Sequence, residues 1–266
     1  MRVVGAGEPV VLLLHGMVAA GNSFGAAYDA LGEHATVVVP DLLGFGGSMD
    51  TTHETDSTAH IAALDGALAE LGLAERPTLV AGHSMGGCLA LRWAAAHAER
   101  VMSVVTFGAP LYGDRAEADE HVQHMGRMES VLAGDGRLPR IVCALMCRFR
   151  DCASWLVVAS RPDLPVPIAR SGVRHTWASY TSSLNGLIRD TGWYAALGVL
   201  AAARVPVTLV AGAMDPVPVS GRAAELAQTW SNIRELTHPS ADHGLPLTDP
   251  WWCQNVLAEE LARCKP

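Results

Sequence analysis

The chain has 266 residues, half of them hydrophobic, and a formal net charge of −8. A low charged fraction without a basic stripe excludes nucleic acid and anionic membrane as favoured partners. The longest early apolar run, residues 9–14, is too short for a secretory leader or a membrane span, so the reading is a soluble cytoplasmic protein.

The elements follow in chain order. Residues 9–16, "PVVLLLHG", read as a buried strand ending at His15-Gly16. Residues 22–31 suit a helix with Asn22 or Ser23 as N-cap. "ATVVVPDLLGFGGS" is a strand and a turn-rich loop. In residues 58–71, Ile61, Leu64, Leu68 and Leu71 fall on one helical face. "RPTLVAGH" is the next strand, residues 85–96 the next helix, and "VMSVVTFGAP" another strand. Near the end come the strand "VPVTLVAGAMDP", a helix over 220–230, the strand "NIRELTH" and a helix over 250–263.

Strands that are apolar throughout and separated by helices imply an α/β fold, with a mostly parallel central sheet covered on both faces. Residues 111–199 break the rhythm. They are rich in Arg, Met and Trp and contain "RPDLPVP". They read as a helical lid inserted before the penultimate strand. The core is then 1–110 and 200–266.

Cys88, Cys143, Cys147, Cys152, Cys253 and Cys264 are dispersed and read as free, mostly buried thiols. Cys143, Cys147 and Cys152 cluster near His121 and His124, but their spacing fits no common zinc pattern, so no metal is expected.

"GHSMG" at residues 82–86 fits G-x-S-x-G. The bare motif is weak. A preceding strand and a following helix strengthen it, as a nucleophile elbow requires. Side chains at 82 and 86 would collide with backbone in so tight a turn. The Ser84 hydroxyl would stand at a helix N-terminus, where the partial charge is positive. A serine needs a base, and the base an orienter. Asp215 follows a strand and His243 lies in a loop after the next one, so both would reach the same sheet edge.

These residues and four motifs carry a resemblance. "LLLHGM" (12–17), "PDLLGFGGS" (40–48), "GHSMGG" (82–87) and the pair "GAMDP" and "DHG" resemble the α/β-hydrolase-fold superfamily over nearly the whole chain. The resemblance is to its lidded, single-domain members, which include esterases, lactonases and carbon–carbon bond hydrolases. It implies a Ser84–His243–Asp215 triad. It also implies an oxyanion hole from the backbone N–H groups of Met17 and Met85, whose side chains would line the pocket floor. His15, Gly16, Trp155 and Trp177 are the expected substrate-contacting residues, with His15 bracing its loop by hydrogen bonds.

Rivals stay open. Asp114 and Asp242 compete with Asp215, and His238 with His243. Asp41 reads as a residue holding loops together. His83 should point into the fold interior. His34, His53, His60 and His97 read as surface positions. His121, His124 and His175 lie in the lid, as do Trp193 and the arginines Arg148, Arg150 and Arg174. Only residues 1–8 precede the first long strand, leaving room for one short strand where relatives carry two. That edge could pair with another subunit, so the chain is expected to be a monomer or homodimer.

The expected reaction is hydrolysis of a carboxylic ester or lactone of a medium-sized, largely apolar small molecule through an acyl-enzyme, without a cofactor. "GMVAAGNS" after His-Gly and His83 before the serine argue against carbon–carbon hydrolysis. Thioester or carbon–carbon hydrolysis, a non-hydrolytic cyclase and a small-molecule receptor are the alternatives, because fold does not fix function.

Overall fold

The computed structural model describes residues 1–49, 55–124, 137–162 and 164–264, with only the backbone of 123, 124, 137 and 138. Seven strands form the sheet: β1 (Arg2–Val4), β2 (Val10–Leu14), β3 (Thr36–Val39), β4 (Thr78–His83), β5 (Val101–Phe107), β6 (Val207–Gly212) and β7 (Ile233–His238). Their order is β1-β3-β2-β4-β5-β6-β7. Only β1 is antiparallel to its neighbour. The three-residue β1 is the single short strand for which the sequence left room.

Strand periodicity assigns the two cores. Val10, Leu12 and Leu14 face one side of β2, while Val11 and Leu13 face the other. The first side packs on α1 (Ser57–Glu70) and α2 (Met85–Ala96). The second packs on residues 26–33 and the C-terminal helix Pro250–Arg263. Asp56 caps α1 by accepting the Ala59 N–H at 2.8 Å. Leu64 and Leu68 of α1 are buried, with Ile61 and Leu71 packed at the margin, as the spacing predicts.

Residues 22–31 depart from expectation. They form two 3₁₀ helices, Gly21–Ser23 and Ala26–Glu33, and neither has a side-chain cap. Ser23 instead donates to the Ala20 carbonyl at 2.6 Å. Such local side-chain bonds compete with a regular N-cap.

Between β5 and β6 run the helices Arg115–His124, Arg137–Arg148, Arg150–Ser160, Val166–Ser171, Trp177–Ser183 and Gly192–Ala202, with a π-helical turn over Leu184–Ile188. The expected boundary at 199/200 falls inside Gly192–Ala202. That helix packs on the sheet side of the fold through Trp193, Leu197 and Leu200. Arg92 of α2 ties this end down, pairing with Asp190 at 2.6 Å and donating to the Leu187 carbonyl at 3.1 Å. The middle of the segment rests on the loops after β2 and β3. Asn22 donates to the Pro167 carbonyl at 3.1 Å, Gly46 N–H donates to the Arg174 carbonyl at 2.8 Å, and Phe45 bridges to His175.

Candidate active site

In a parallel sheet the crevice forms at the carboxyl edge, where the strand order changes direction. Here that point lies between β2 and β4. Ser84 occupies it, as the single residue between β4 and α2. Its φ of 54° and ψ of −121° are strained for a residue with a side chain. Two bonds hold it there: its N–H donates to the Phe107 carbonyl at 2.8 Å, and its own carbonyl accepts from Gly87 at 2.9 Å.

The flanking glycines are required by contact. A Cβ on Gly82 would sit 2.1 Å from the Gly86 carbonyl oxygen, and one on Gly86 would sit 2.2 Å from that of Leu14. Both obstacles are backbone. Gly86→Ala is therefore expected to destabilise the fold by about 3 kcal/mol, the upper end of the usual overpacking cost, read as a lower urea midpoint. Gly198→Ala is the control, because a Cβ there meets nothing within 4 Å. It should gain about 0.5–1 kcal/mol from helix propensity.

The structure brings Asp215 and His243 together. Both carboxylate oxygens approach His243 Nδ1, Oδ1 at 3.1 Å and Oδ2 at 3.0 Å. The Asp215 side chain is 2% exposed, and Oδ1 also accepts the Val217 N–H at 2.9 Å. A carboxylate only accepts, so Nδ1 carries the proton and Nε2 is left as the basic nitrogen. Their loops are bonded directly: Met214 N–H donates to the Ala241 carbonyl at 2.9 Å.

Sequence reasoning missed Gly108, which follows β5 with φ 58°. A Cβ there would lie 2.7 Å from Asp215 Oδ2 and 3.0 Å from His243 Nδ1. The only signal was a glycine placed directly after a strand, in "TFGAP".

The rivals are occupied elsewhere. Asp114 Oδ1 accepts the Glu117 N–H at 2.8 Å, and Asp242 Oδ1 accepts that of Gly244 at 2.8 Å. His238 Nδ1 accepts from Ala241 at 3.0 Å, and its Nε2 lies 3.5 Å from Asp249. Asp41 joins two loops, as expected, accepting from Gly21 at 2.7 Å and Gly47 at 2.8 Å. Burial opposes its charge, but those two N–H groups hold its pKa below the ordinary value.

The loop after β2 runs against the serine: a Cβ on Gly16 would be 3.2 Å from Ser84 Cβ. Val18, in that loop, has φ 57°, unusual for a β-branched residue. Met17 is partly buried, and Met85 is the first residue of α2, where N–H groups lack intrahelical partners. The Met85 side chain is fully buried in the core.

His15 is fully buried. Its Nε2 accepts the Leu42 N–H at 2.9 Å, so Nδ1 donates to the Gly16 carbonyl at 2.7 Å. The ring braces two loops, and both of its nitrogens are engaged by the protein itself. Trp155 stands 54% exposed beneath the Arg170 guanidinium, 5.0 Å from the ring centre. Trp177 is partly buried and stacks on Tyr180 at 6.2 Å. Trp193 is core, donating to the Tyr112 carbonyl at 2.9 Å.

Among the other histidines, His60 corrects the expectation of a surface site. It is 1% exposed, with Nε2 3.4 Å from Ser183 of the inserted segment. His34 is exposed, while His97 is partly buried and lies 2.9 Å from Asp65. His121 contacts the Glu117 carbonyl at 3.0 Å, and His175 is buried, as is Cys143. His53 and the His124 side chain lie outside the described residues. The six cysteines are free.

Burial lowers the pKa of His15 to about 4, of His60 to about 4 and of His83 to about 3. Folded values below the unfolded 6.5 mean that the unfolded chain takes up protons first. Stability is therefore full above pH 6.5 and falls as the pH drops from 6.5 towards 4. At about 1.4 kcal/mol per unit, His15 alone accounts for a loss of about 3 kcal/mol over that range. Urea midpoints should fall steeply between pH 6.5 and pH 4.5; a flat profile there would contradict these neutral buried rings.

The alpha/beta hydrolase fold family model matches residues 9–250. A pimeloyl-[acyl-carrier protein] methyl ester esterase of Chromobacterium violaceum is 25% identical over 95% of this chain and 94% of its own. Uncharacterized proteins of Mycobacterium tuberculosis and Mycobacterium bovis are 34% identical over 93 residues, 35% of this chain and 26% of theirs. The chain thus aligns with about a quarter of the length of those mycobacterial relatives. A thermophilic esterase from Thermogutta terrifontis superposes with a TM-score of 0.71 at 22% identity, covering 100% of this chain and 93% of that one. With the sheet order, the elbow and the family match in agreement, the chain belongs to the alpha/beta hydrolase fold family.

Proposed function

We propose that the protein is a serine hydrolase that cleaves a carboxylic ester or lactone of a medium-sized, largely apolar small molecule. The observation that carries this reading is the buried Asp215 carboxylate on His243 Nδ1, at 3.0 and 3.1 Å, in a chain that also holds a serine at φ 54° in its strand-to-helix turn. His243 Nε2 takes the Ser84 proton as the hydroxyl attacks the carbonyl. Asp215 holds the tautomer and stabilises the imidazolium. The N–H groups of Met17 and Met85 face the oxyanion, and losing one such donor typically costs about 10²–10³ in rate. The leaving group departs with the His243 proton, and water activated by the same nitrogen releases the acid.

Residues 111–199 are proposed to cover the site and select the acyl group, with Gly16 and Trp177 near the substrate. Their contacts with the loops after β2 and β3 support this, through Asn22, Gly46 and Phe45. The relative from Chromobacterium violaceum, named for an acyl methyl ester, supports an ester over a carbon–carbon bond. The chemistry calls for no metal or organic cofactor. Among the described residues, no helix is long and apolar enough to cross a membrane.

The test is intact-mass analysis after fluorophosphonate treatment, alongside turnover of short p-nitrophenyl esters. One adduct on the parent and none on Ser84→Ala is expected. A folded parent that forms no adduct and turns over no ester would overturn the reading.

A further inference from the structure

His83, the residue before the serine, is absorbed by neither the triad nor the oxyanion loop. It ends β4, and its ring does not simply fill the interior. The His243 carbonyl can only accept, so the 2.8 Å contact makes His83 Nε2 the donor. The two rings lie 4.8 Å apart, inclined at 40°. On the other side of the ring, the Cβ that Gly16 lacks would sit 3.1 Å from His83 Nδ1. One side chain thus lies close to the loop after β2 at Gly16 and is bonded to the backbone of the loop that carries His243. It is also covalently next to Ser84.

The bond is long-range, with 160 residues between donor and acceptor. The His243 loop hangs from the far side of the sheet, reaching the serine only across β5 and β6. Asp215 fixes the direction of the imidazole, but Asp215 belongs to the same β6–β7 side. Among the described side-chain bonds, the one from His83 ties the His243 backbone to β4 itself.

We propose that His83 is a positioning residue: its Nε2–H clamps the His243 backbone to the nucleophile elbow and so sets the distance between base and serine. This rests on the serine-hydrolase reading for its catalytic consequence, but the clamp itself does not. A base displaced by about 1 Å costs about 10² in rate.

Three variants test the clamp: His83→Leu, His83→Gln and His83→Asn. Glutamine places an amide N–H the same number of bonds from Cα as Nε2, so it keeps the donor. Leucine removes it. Asparagine moves it one bond nearer the backbone, and serves as the broken clamp should leucine fail to fold. Two readouts are taken, kcat and KM on a p-nitrophenyl ester, and hydrogen exchange of peptides spanning 239–248. In the leucine or asparagine variant, kcat is expected to fall about 10²-fold with KM within about twofold. Exchange over 239–248 is expected to rise roughly tenfold while peptides over β2 and β4 stay unchanged. The glutamine variant should restore both.

Unchanged exchange in a folded leucine or asparagine variant would overturn the clamp. Raised exchange with parental kcat would overturn its catalytic role. So would equal kcat losses in the leucine and glutamine variants. If the parent turns over no ester, the serine-hydrolase reading falls, and the exchange readout still decides the clamp.

Discussion

Ser84→Ala is expected to lower kcat by about 10⁶-fold, to the level that binding and the oxyanion donors support alone. The loss should fall on kcat, because the hydroxyl makes its covalent bond only in the reaction. Stability should barely change. Alanine meets the same φ of 54° that serine tolerates, and the bonds that hold the turn are made by the backbone N–H and carbonyl of residue 84. The measurement is steady-state turnover of a p-nitrophenyl ester, with the thermal midpoint recorded beside it. A variant that keeps its midpoint and more than about one per cent of its activity would mean that another group attacks the carbonyl.

Asp215→Asn is expected to cost about 10⁴ in kcat, with KM little changed. The replacement is nearly isosteric, and its amide oxygen can still accept the Val217 N–H now bonded at 2.9 Å. What changes is the partner of His243. Two carboxylate oxygens on Nδ1 enforce one tautomer. An amide that presents its N–H₂ there would favour the other tautomer, with Nε2 protonated and unable to accept from Ser84. The half-buried imidazolium would also lose its counter-charge, which the Asp215 carboxylate, 2% exposed, supplies from the protein side. Measured against pH, the deficit should persist through the neutral range. A loss below about tenfold would leave Asp215 a structural cap for the Val217 turn and return Asp114 to consideration.

The legible part of the site was local. "GHSMG" announced the elbow because a strand, a sharp turn and a helix each leave a signature within a few residues. The glycines at 82 and 86 were readable for the same reason: the obstructing atoms are backbone carbonyls, present whatever the sequence. The role of Asp41 came from the family resemblance, and the structure supplies its partners, the N–H groups of Gly21 and Gly47. Asp114 and His238 were rivals because each sits at a strand end like the residues finally paired. What separates them is that Asp114 caps its own helix and His238 its own turn. Those bonds form over two or three residues, but they compete with long-range ones, and the outcome is set by packing.

By itself, the sequence determined the alternation of strands and helices, the burial of the central strands and the strained turn at Ser84. Propensity, hydrophobic period and steric exclusion act over a few residues and need no partner from elsewhere in the chain. Only the tertiary structure decided the rest. It joined Asp215 to His243 across two loops, bonded His83 to a carbonyl 160 residues away and buried His60 beneath Ser183 of the inserted segment. It left Trp155 half exposed and turned Gly21–Ser23 and Ala26–Glu33 into 3₁₀ helices. These depend on which surfaces meet once the sheet has twisted and its helices have docked. A side chain's neighbours across that distance have no periodicity in the sequence to reveal them.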